Sequence, residues 1–186
     1  MKVEKLAIPE VLLITPPRFG DARGFFSETY NERKLREATG IDQPFVQDNH
    51  SLSVERGVIR GLHCQLAPSI QGKLLRCVRG SIWDVAVDAR VGSPTFGKWV
   101  AATLSAENWQ QLWVPGGFLH GFCTLRPDTE VIYKVTDVWN RDCERGVIWN
   151  DPDLALPWPV APGEAVLSDK DAMLPRLADC AAWYKV

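Results

Sequence analysis

Lys73-Leu74-Leu75-Arg76-Cys77-Val78-Arg79-Gly80-Ser81-Ile82-Trp83-Asp84-Val85-Ala86-Val87-Asp88 reads as two short strands, Lys73 to Val78 and Ile82 to Asp88. Val78-Arg79-Gly80-Ser81 reads as a tight hairpin turn between them. Runs of the same kind recur on both sides. Val11 to Ile14, Phe45 to Ser51, Val58 to Gln65, Trp99 to Leu104, Gln111 to Val114, His120 to Leu125 and Glu130 to Val138 are all expected as strands. Val114-Pro115-Gly116-Gly117 marks a second turn. Eight tryptophans, 14 glycines and 13 prolines keep the apolar runs short and broken, which favours an all-β sandwich or barrel with jelly-roll character. Two helical stretches are expected at the periphery. One is Asn31 to Thr39, with a capping residue at its start and Gly40 at its stop; the other is the less regular Asp169 to Ala182.

A chain of 186 residues suits one domain, 1–186, with a sizeable core. Its 21 Lys and Arg against 23 Asp and Glu give a net charge of -2, which supplies no basic field for nucleic acid. No apolar run approaches a membrane span. Met1-Lys2-Val3-Glu4-Lys5 lacks the apolar core and cleavage site of a signal peptide, and the five irregularly spaced cysteines suit free thiols. The expectation is a cytoplasmic protein.

Arg60-Gly61-Leu62-His63 and, ten residues after His63, Gly72-Lys73 carry the chemistry-bearing side chains of the strands. Histidine handles protons near neutral pH, and a lysine within a strand is costly unless it meets an anion or developing negative charge. The pair suggests a base and a cation that receives the resulting charge. The plainer readings are a satisfied core histidine and an edge lysine reaching solvent. Cys64 follows His63, but strand alternation points the two apart, which makes Cys64 a small core hydrophobe. Alternation also separates Arg60 from His63 unless Gly61 hosts a bulge that re-aims one of them. Tyr133 shares a face at period two with Val135, Asp137 and Trp139. It is either a core phenol or a general acid opposite a histidine base. Trp139 either stacks on a flat base or plugs the barrel mouth. His120, between glycine turns, either polarises a ligand or caps a strand. With only His50, His63 and His120 and no close His and Glu spacing, no metal site is expected.

The motifs form an ordered set. It runs through Asp21-Ala22-Arg23-Gly24-Phe25-Phe26-Ser27-Glu28, Gln47-Asp48-Asn49-His50-Ser51, Arg60-Gly61-Leu62-His63, Gly72-Lys73-Leu74-Leu75-Arg76 and Asp84-Val85-Ala86-Val87-Asp88. Ser93-Pro94-Thr95-Phe96-Gly97, Pro115-Gly116-Gly117-Phe118, His120-Gly121-Phe122, Trp149-Asn150-Asp151-Pro152 and Ser168-Asp169-Lys170-Asp171 complete it. From Ile8 to Pro175 the chain resembles the dTDP-4-dehydrorhamnose 3,5-epimerase family, metal-free cupin-fold enzymes of dTDP-L-rhamnose synthesis.

The resemblance implies a cupin-type jelly roll, no cofactor, and a dTDP-4-keto-6-deoxyhexose substrate. It casts His63 as base, with Asp171 fixing its tautomer, Tyr133 as acid on the opposite face of the sugar, and Lys73 as the enolate-stabilising cation. Arg60 and His120 would hold the phosphates and sugar, with Gln47, Asp48, Asn49, Glu144 and Lys170 among the ligand contacts. Trp139 would lie against the thymine, and Asp84 would orient His120. Arg23, Phe26 and Glu28 would reach the nucleotide from the neighbouring subunit of a homodimer. Cys64 stands where the family usually has an aromatic, and Val138-Trp139-Asn140 replaces a more Tyr-rich stretch. The C3 and C5 protons of such a sugar are both alpha to the C4 ketone, so one cation can serve both epimerisations. The rivals are a mono-epimerase inverting only C3 or C5, a non-catalytic sugar-nucleotide binding module, and a metal-dependent cupin.

Overall fold

The computed structural model describes residues 1–180. Thirteen strands are numbered in order among the described residues. They are β1 (Lys2–Lys5), β2 (Leu12–Thr15), β3 (Phe19–Asp21), β4 (Gly24–Phe26), β5 (Gln47–Ser53), β6 (Ile59–Gln65), β7 (Lys73–Arg79), β8 (Ser81–Asp88), β9 (Trp99–Ser105), β10 (Gln111–Val114), β11 (Phe118–Thr124), β12 (Thr129–Val135) and β13 (Glu144–Gly146). One antiparallel sheet has the order β1-β2-β10-β7-β12-β5, and the other has the order β13-β6-β11-β8-β9. They pack face to face as the cupin-type jelly roll that the resemblance implies. β3 and β4 form a separate ribbon. No helix among the described residues is long and apolar enough to cross a membrane.

Alternation builds the core. Leu75 and Cys77 of β7, Leu112 and Val114 of β10, and Val131 of β12 meet Ile82 and Ala86 of β8, Val100 and Leu104 of β9, and Phe118 and Phe122 of β11. The outward residues of the five-stranded sheet are buried as well. Leu62, Cys64, Val85, Val87 and Leu119 pack under Val147, Leu154 and Leu177 from the chain that follows β13. The proline-marked segment from 152 to 162 belongs to this cover, with Trp158 donating from its indole to the carbonyl of Trp149 and packing edge-on against Trp83.

The expected hairpin at Val78-Arg79-Gly80-Ser81 is not one. β7 pairs with β10 and β12, whereas β8 pairs with β11 and β9, so the turn carries the chain from one sheet to the other. Gly80, at φ 74, is the sole residue between the strands, and a Cβ there would lie 2.3 Å from Thr129 Oγ1. With the chain swung out of plane at that point, the inward residues of β7 and β8 oppose each other across the core instead of sharing a ladder. The turn after Val114 makes the same kind of crossing, from β10 to β11.

Helix α1 (Glu32–Thr39) has Asn31 as N-cap and ends at Gly40 in the left-handed conformation, φ 77. The second helical expectation is realised as a one-turn α2 (Asp169–Ala172) and a 3-10 turn (Leu177–Cys180). Its final residues, 181 and 182, lie outside the described residues. Strands β1, β3, β4 and β13 were not expected. Their three or four residues are too few for a period-two pattern to register.

β6 is irregular where it matters. His63 stands opposite His120 and Arg60 opposite Phe122, so three residues of advance on β6 match two on β11. The extra residue is a β-bulge, and it brings Arg60 and His63 to the same, inward face. Gly61 sits in it at φ 120, and a Cβ there would lie 2.6 Å from both the Gly121 Cα and the His120 carbonyl oxygen. Both contacts are backbone, so neither can give way cheaply. Gly61→Ala is therefore expected to lower unfolding stability by about 2–4 kcal/mol, read as a drop in the urea midpoint, whereas Gly163→Ala, with open space around it, leaves the midpoint nearly unchanged.

Candidate active site

Beyond the apolar core, toward the Lys73 end of β7, the inward side chains turn polar around a cavity of about 300 Å3. His63 and His120 reach it from the five-stranded sheet, and Lys73 and Tyr133 from the six-stranded sheet. Arg60, Ser51, Phe122, Ser168, Lys170 and Asp171 complete the lining.

His63 Nε2 lies 2.7 Å from Asp171 Oδ1. A carboxylate only accepts, so Nε2 carries the hydrogen and the neutral ring keeps its lone pair on Nδ1. Asp171 is itself held. Its other oxygen accepts from the Gly61 N–H at 3.3 Å, and its own N–H donates to Ser168 Oγ at the start of α2. Burial would raise the Asp171 pKa, but the hydrogen bond and charge of His63 and the Gly61 N–H outweigh it, and the carboxyl is held below the ordinary value. The bulge thus supplies both the direction of His63 and a donor to its orienting carboxylate.

A second histidine–carboxylate pair lies directly across the ladder. His120 Nε2 is 3.0 and 3.1 Å from the two oxygens of Asp84, which is fully buried. Burial raises the Asp84 pKa above the usual carboxylate value against the pull of His120 and Lys73. Lys73 donates to the His63 carbonyl at 3.2 Å. Burial pushes its ammonium below the ordinary lysine value, with Cys64, Glu144 and Asp84 acting in the opposite direction. Tyr133 is pushed up by burial, which Arg60 opposes, so its phenol stays protonated at neutral pH. Arg60 is fixed at its base by Ser53 Oγ and the Leu52 carbonyl.

The structure distributes the remaining candidates unevenly. Gln47, Asn49 and Trp139 line a neighbouring recess with Gln71 and Tyr133, although β12 ends at Val135 and the period-two face does not itself extend to Trp139. The Trp139 N–H donates to Gln47 Oε1, and its ring is exposed. Lys170 pairs with Glu144 at the cavity rim. Asp48 goes the other way. Between Gln47 and Asn49 it faces the outside of the sheet and pairs with Lys134, so it is not brought into the cavity. Arg23, Phe26 and Glu28 are also outside it. Arg23 pairs with Asp21, Glu28 pairs with Lys34, and Phe26 is 70% exposed. His50 is outward too, beside Glu130.

Cys64 is buried beneath the sheet with its thiol pushed up to about 11 by burial, the small core hydrophobe that alternation indicated. Among the described residues, no group of three or more His, Cys, Asp or Glu side chains is placed to hold a metal ion. Ser51 and Ser168 were missed as lining residues. Ser51 was detectable, since it continues the inward Gln47, Asn49 series at period two. Ser168 was not, since it comes from a segment more than a hundred residues beyond His63.

The sequence model for dTDP-4-dehydrorhamnose 3,5-epimerase matches residues 5–179. The chain belongs to this family. It is 53% identical over 171 residues to the dTDP-4-dehydrorhamnose 3,5-epimerase of Shigella flexneri, covering 92% of this chain and 93% of that one. Its fold is similar to a crystal structure of the 3,5-epimerase RmlC from Legionella pneumophila in complex with dTDP-4-keto-L-rhamnose, with a TM-score of 0.94, 42% identity, and 100% of this chain and 98% of that one covered. The family's structure from Bacillus anthracis, with TDP and pyrophosphate bound, gives a TM-score of 0.90 at 51% identity, covering 94% and 98%.

The lowered pKa of Lys73 sets a pH dependence. The ammonium is lost as pH rises through a value below the ordinary 10.5. If Lys73 carries charge stabilisation, turnover falls on the alkaline side before a normal lysine would titrate. Lys73→Arg, which keeps its charge, is expected to move that limb upward in the pH–rate profile whatever its plateau.

Proposed function

We propose that the cavity performs the epimerisation of C3 and C5 of dTDP-4-dehydro-6-deoxy-D-glucose, giving dTDP-4-dehydro-L-rhamnose, in dTDP-L-rhamnose biosynthesis. The protein is an isomerase acting on a dTDP-sugar. The observation that carries the assignment of roles is the opposition of His63, oriented by Asp171, to Tyr133 on the facing sheet, with Lys73 lining the same cavity and donating to the His63 carbonyl.

The steps balance without a redox partner. His63 Nδ1 takes the proton from the carbon alpha to the C4 ketone, and the C–H electron pair moves to make the C=C bond while the carbonyl pair moves onto O4. Lys73 faces that oxygen, and a fixed cation in a water-poor cavity stabilises the enolate more than water does. The pair then returns to carbon and takes a proton from the Tyr133 hydroxyl on the other face, inverting the centre. The imidazolium and the phenolate return to their starting states by exchange with solvent. C3 and C5 both flank C4, so the same four side chains serve both centres after the ring is reoriented. His120, polarised by Asp84, and Arg60 hold the phosphates and sugar, with Lys170 and Glu144 at the rim. Gln47, Asn49 and Trp139 receive the thymine. The mono-epimerase alternative is not favoured, since the curated relatives at about 50% identity are 3,5-epimerases.

The exposed ribbon completes the reading. Phe19 and Phe26 are 64% and 70% exposed, and Arg23 lies outside its own chain's cavity. We assign Arg23, Phe26 and Glu28 to the site of a second subunit in a homodimer, each chain one domain working in the cytoplasm.

With dTDP-4-keto-6-deoxyglucose as substrate and NMR of the product as readout, His63→Ala is expected to lose at least about 100-fold in turnover. Tyr133→Phe is expected to impair reprotonation more than proton removal, so solvent exchange outlasts inversion. Near-normal turnover of His63→Ala would contradict the base assignment. For the shared site, His63→Ala chains co-expressed with Arg23→Ala/Phe26→Ala chains should recover about a quarter of wild-type activity, because half the dimers are mixed and each has one intact site.

A further inference from the structure

The inward face of β5 presents Gln47, Asn49, Ser51 and Ser53 in sequence. Three of them are engaged. Gln47 donates to Asn49 Oδ1, and Ser53 accepts from Arg60. Ser51 is the exception. Its Oγ is buried, and it is the one such side-chain polar atom among the described residues without a hydrogen-bond partner. It also lines the catalytic cavity. A buried hydroxyl left unpaired costs folding stability, because its hydrogen bonds to water are given up with nothing in return. Its position is informative. Ser51 pairs with Val131 and Tyr133 pairs with Asn49, so Ser51 and Tyr133 are diagonal neighbours on one sheet, facing the His63 and His120 sheet across the cavity.

We propose that Ser51 is a specificity-determining contact that holds the C2 hydroxyl of the hexose, a role that rests on the epimerase reading above. The ligand must offer a polar atom within the sugar part of the cavity. The C4 oxygen faces Lys73, and the phosphates fall to Arg60 and His120, which leaves the ring hydroxyls. Of these, the C3 hydroxyl is attached to a centre that inverts, so a fixed serine cannot keep it through the reaction. The C2 hydroxyl is on a carbon that neither loses a proton nor changes configuration. The Ser51 hydroxyl has no hydrogen bond to lose on turning about χ1 toward the cavity that its residue lines, and a contact there anchors the ring beside C3 while the proton passes between the histidine and tyrosine faces. Ser51 thus reads the ring hydroxyl whose carbon keeps its proton and its configuration from substrate to product.

The test combines stability with kinetics in the full chain. Ser51→Ala removes a hydroxyl that has no protein partner, so its melting temperature is expected to equal or exceed that of wild type. Its kcat/KM on dTDP-4-keto-6-deoxyglucose is expected to fall about tenfold. On the 2-deoxy form of the same substrate, wild type and Ser51→Ala should turn over alike, because neither can make the contact. Unchanged kcat/KM on the natural substrate would overturn the proposal, as would an equal loss on both substrates. A lowered melting temperature with equal losses would mark Ser51 as purely structural. Failure of wild type to turn over the natural substrate would instead remove the epimerase reading itself.

Discussion

One extra residue in β6, accommodated by Gly61 against Gly121, is the constraint on which the site depends. A regular strand would send Arg60 and His63 to opposite faces, leaving either the cation or the histidine in the apolar layer under the five-stranded sheet. The bulge turns both inward while Leu62 and Cys64 still enter that layer. It also exposes the Gly61 N–H to Asp171, a residue 110 positions away. Local backbone geometry, sheet packing and the orientation of the histidine are therefore one arrangement. The glycines permit it because backbone meets backbone there too closely for any side chain.

The polar end of the barrel is maintained by pairing. His63 with Asp171 and His120 with Asp84 place two carboxylates where burial works against their charge. Lys73 lies nearby, its ammonium pushed below the ordinary lysine value by burial. Such a site is expensive for the fold in isolation, and it becomes favourable when a negative charge develops beside the lysine. The apolar layer of Ile82, Ala86, Phe118 and Phe122 supports it from within the barrel. The reactive groups occupy the end of the barrel where that layer stops.

Much of this was legible in the chain. The short runs expected as strands at Lys73 to Val78, Ile82 to Asp88 and Glu130 to Val138 correspond to β7, β8 and β12, and alternation separated Cys64 from His63 correctly. The Gly61 bulge could be raised only as a question, because alternation says which faces conflict but not how the partner strand is registered. Pairing between distant strands misled the reading at Gly80, where a tight turn looks the same whether it joins neighbours in a sheet or crosses between sheets. Asp48 shows the opposite weakness. Its motif neighbours Gln47 and Asn49 face inward, and strict alternation would have sent it outward to Lys134. The partners of His63 and His120, 108 and 36 residues away, were reached through the resemblance and not through local pattern.

The central claim is that one histidine base, one tyrosine acid and one lysine act on both carbons flanking the ketone through a common kind of enolate. Proton NMR of dTDP-4-keto-6-deoxyglucose incubated with the protein in deuterated water tests it most directly. The account predicts deuterium at both C3 and C5, with the epimerised product, dTDP-4-dehydro-L-rhamnose, drawn off by an added reductase. Deuterium at only one of the two carbons, or at neither, would contradict it.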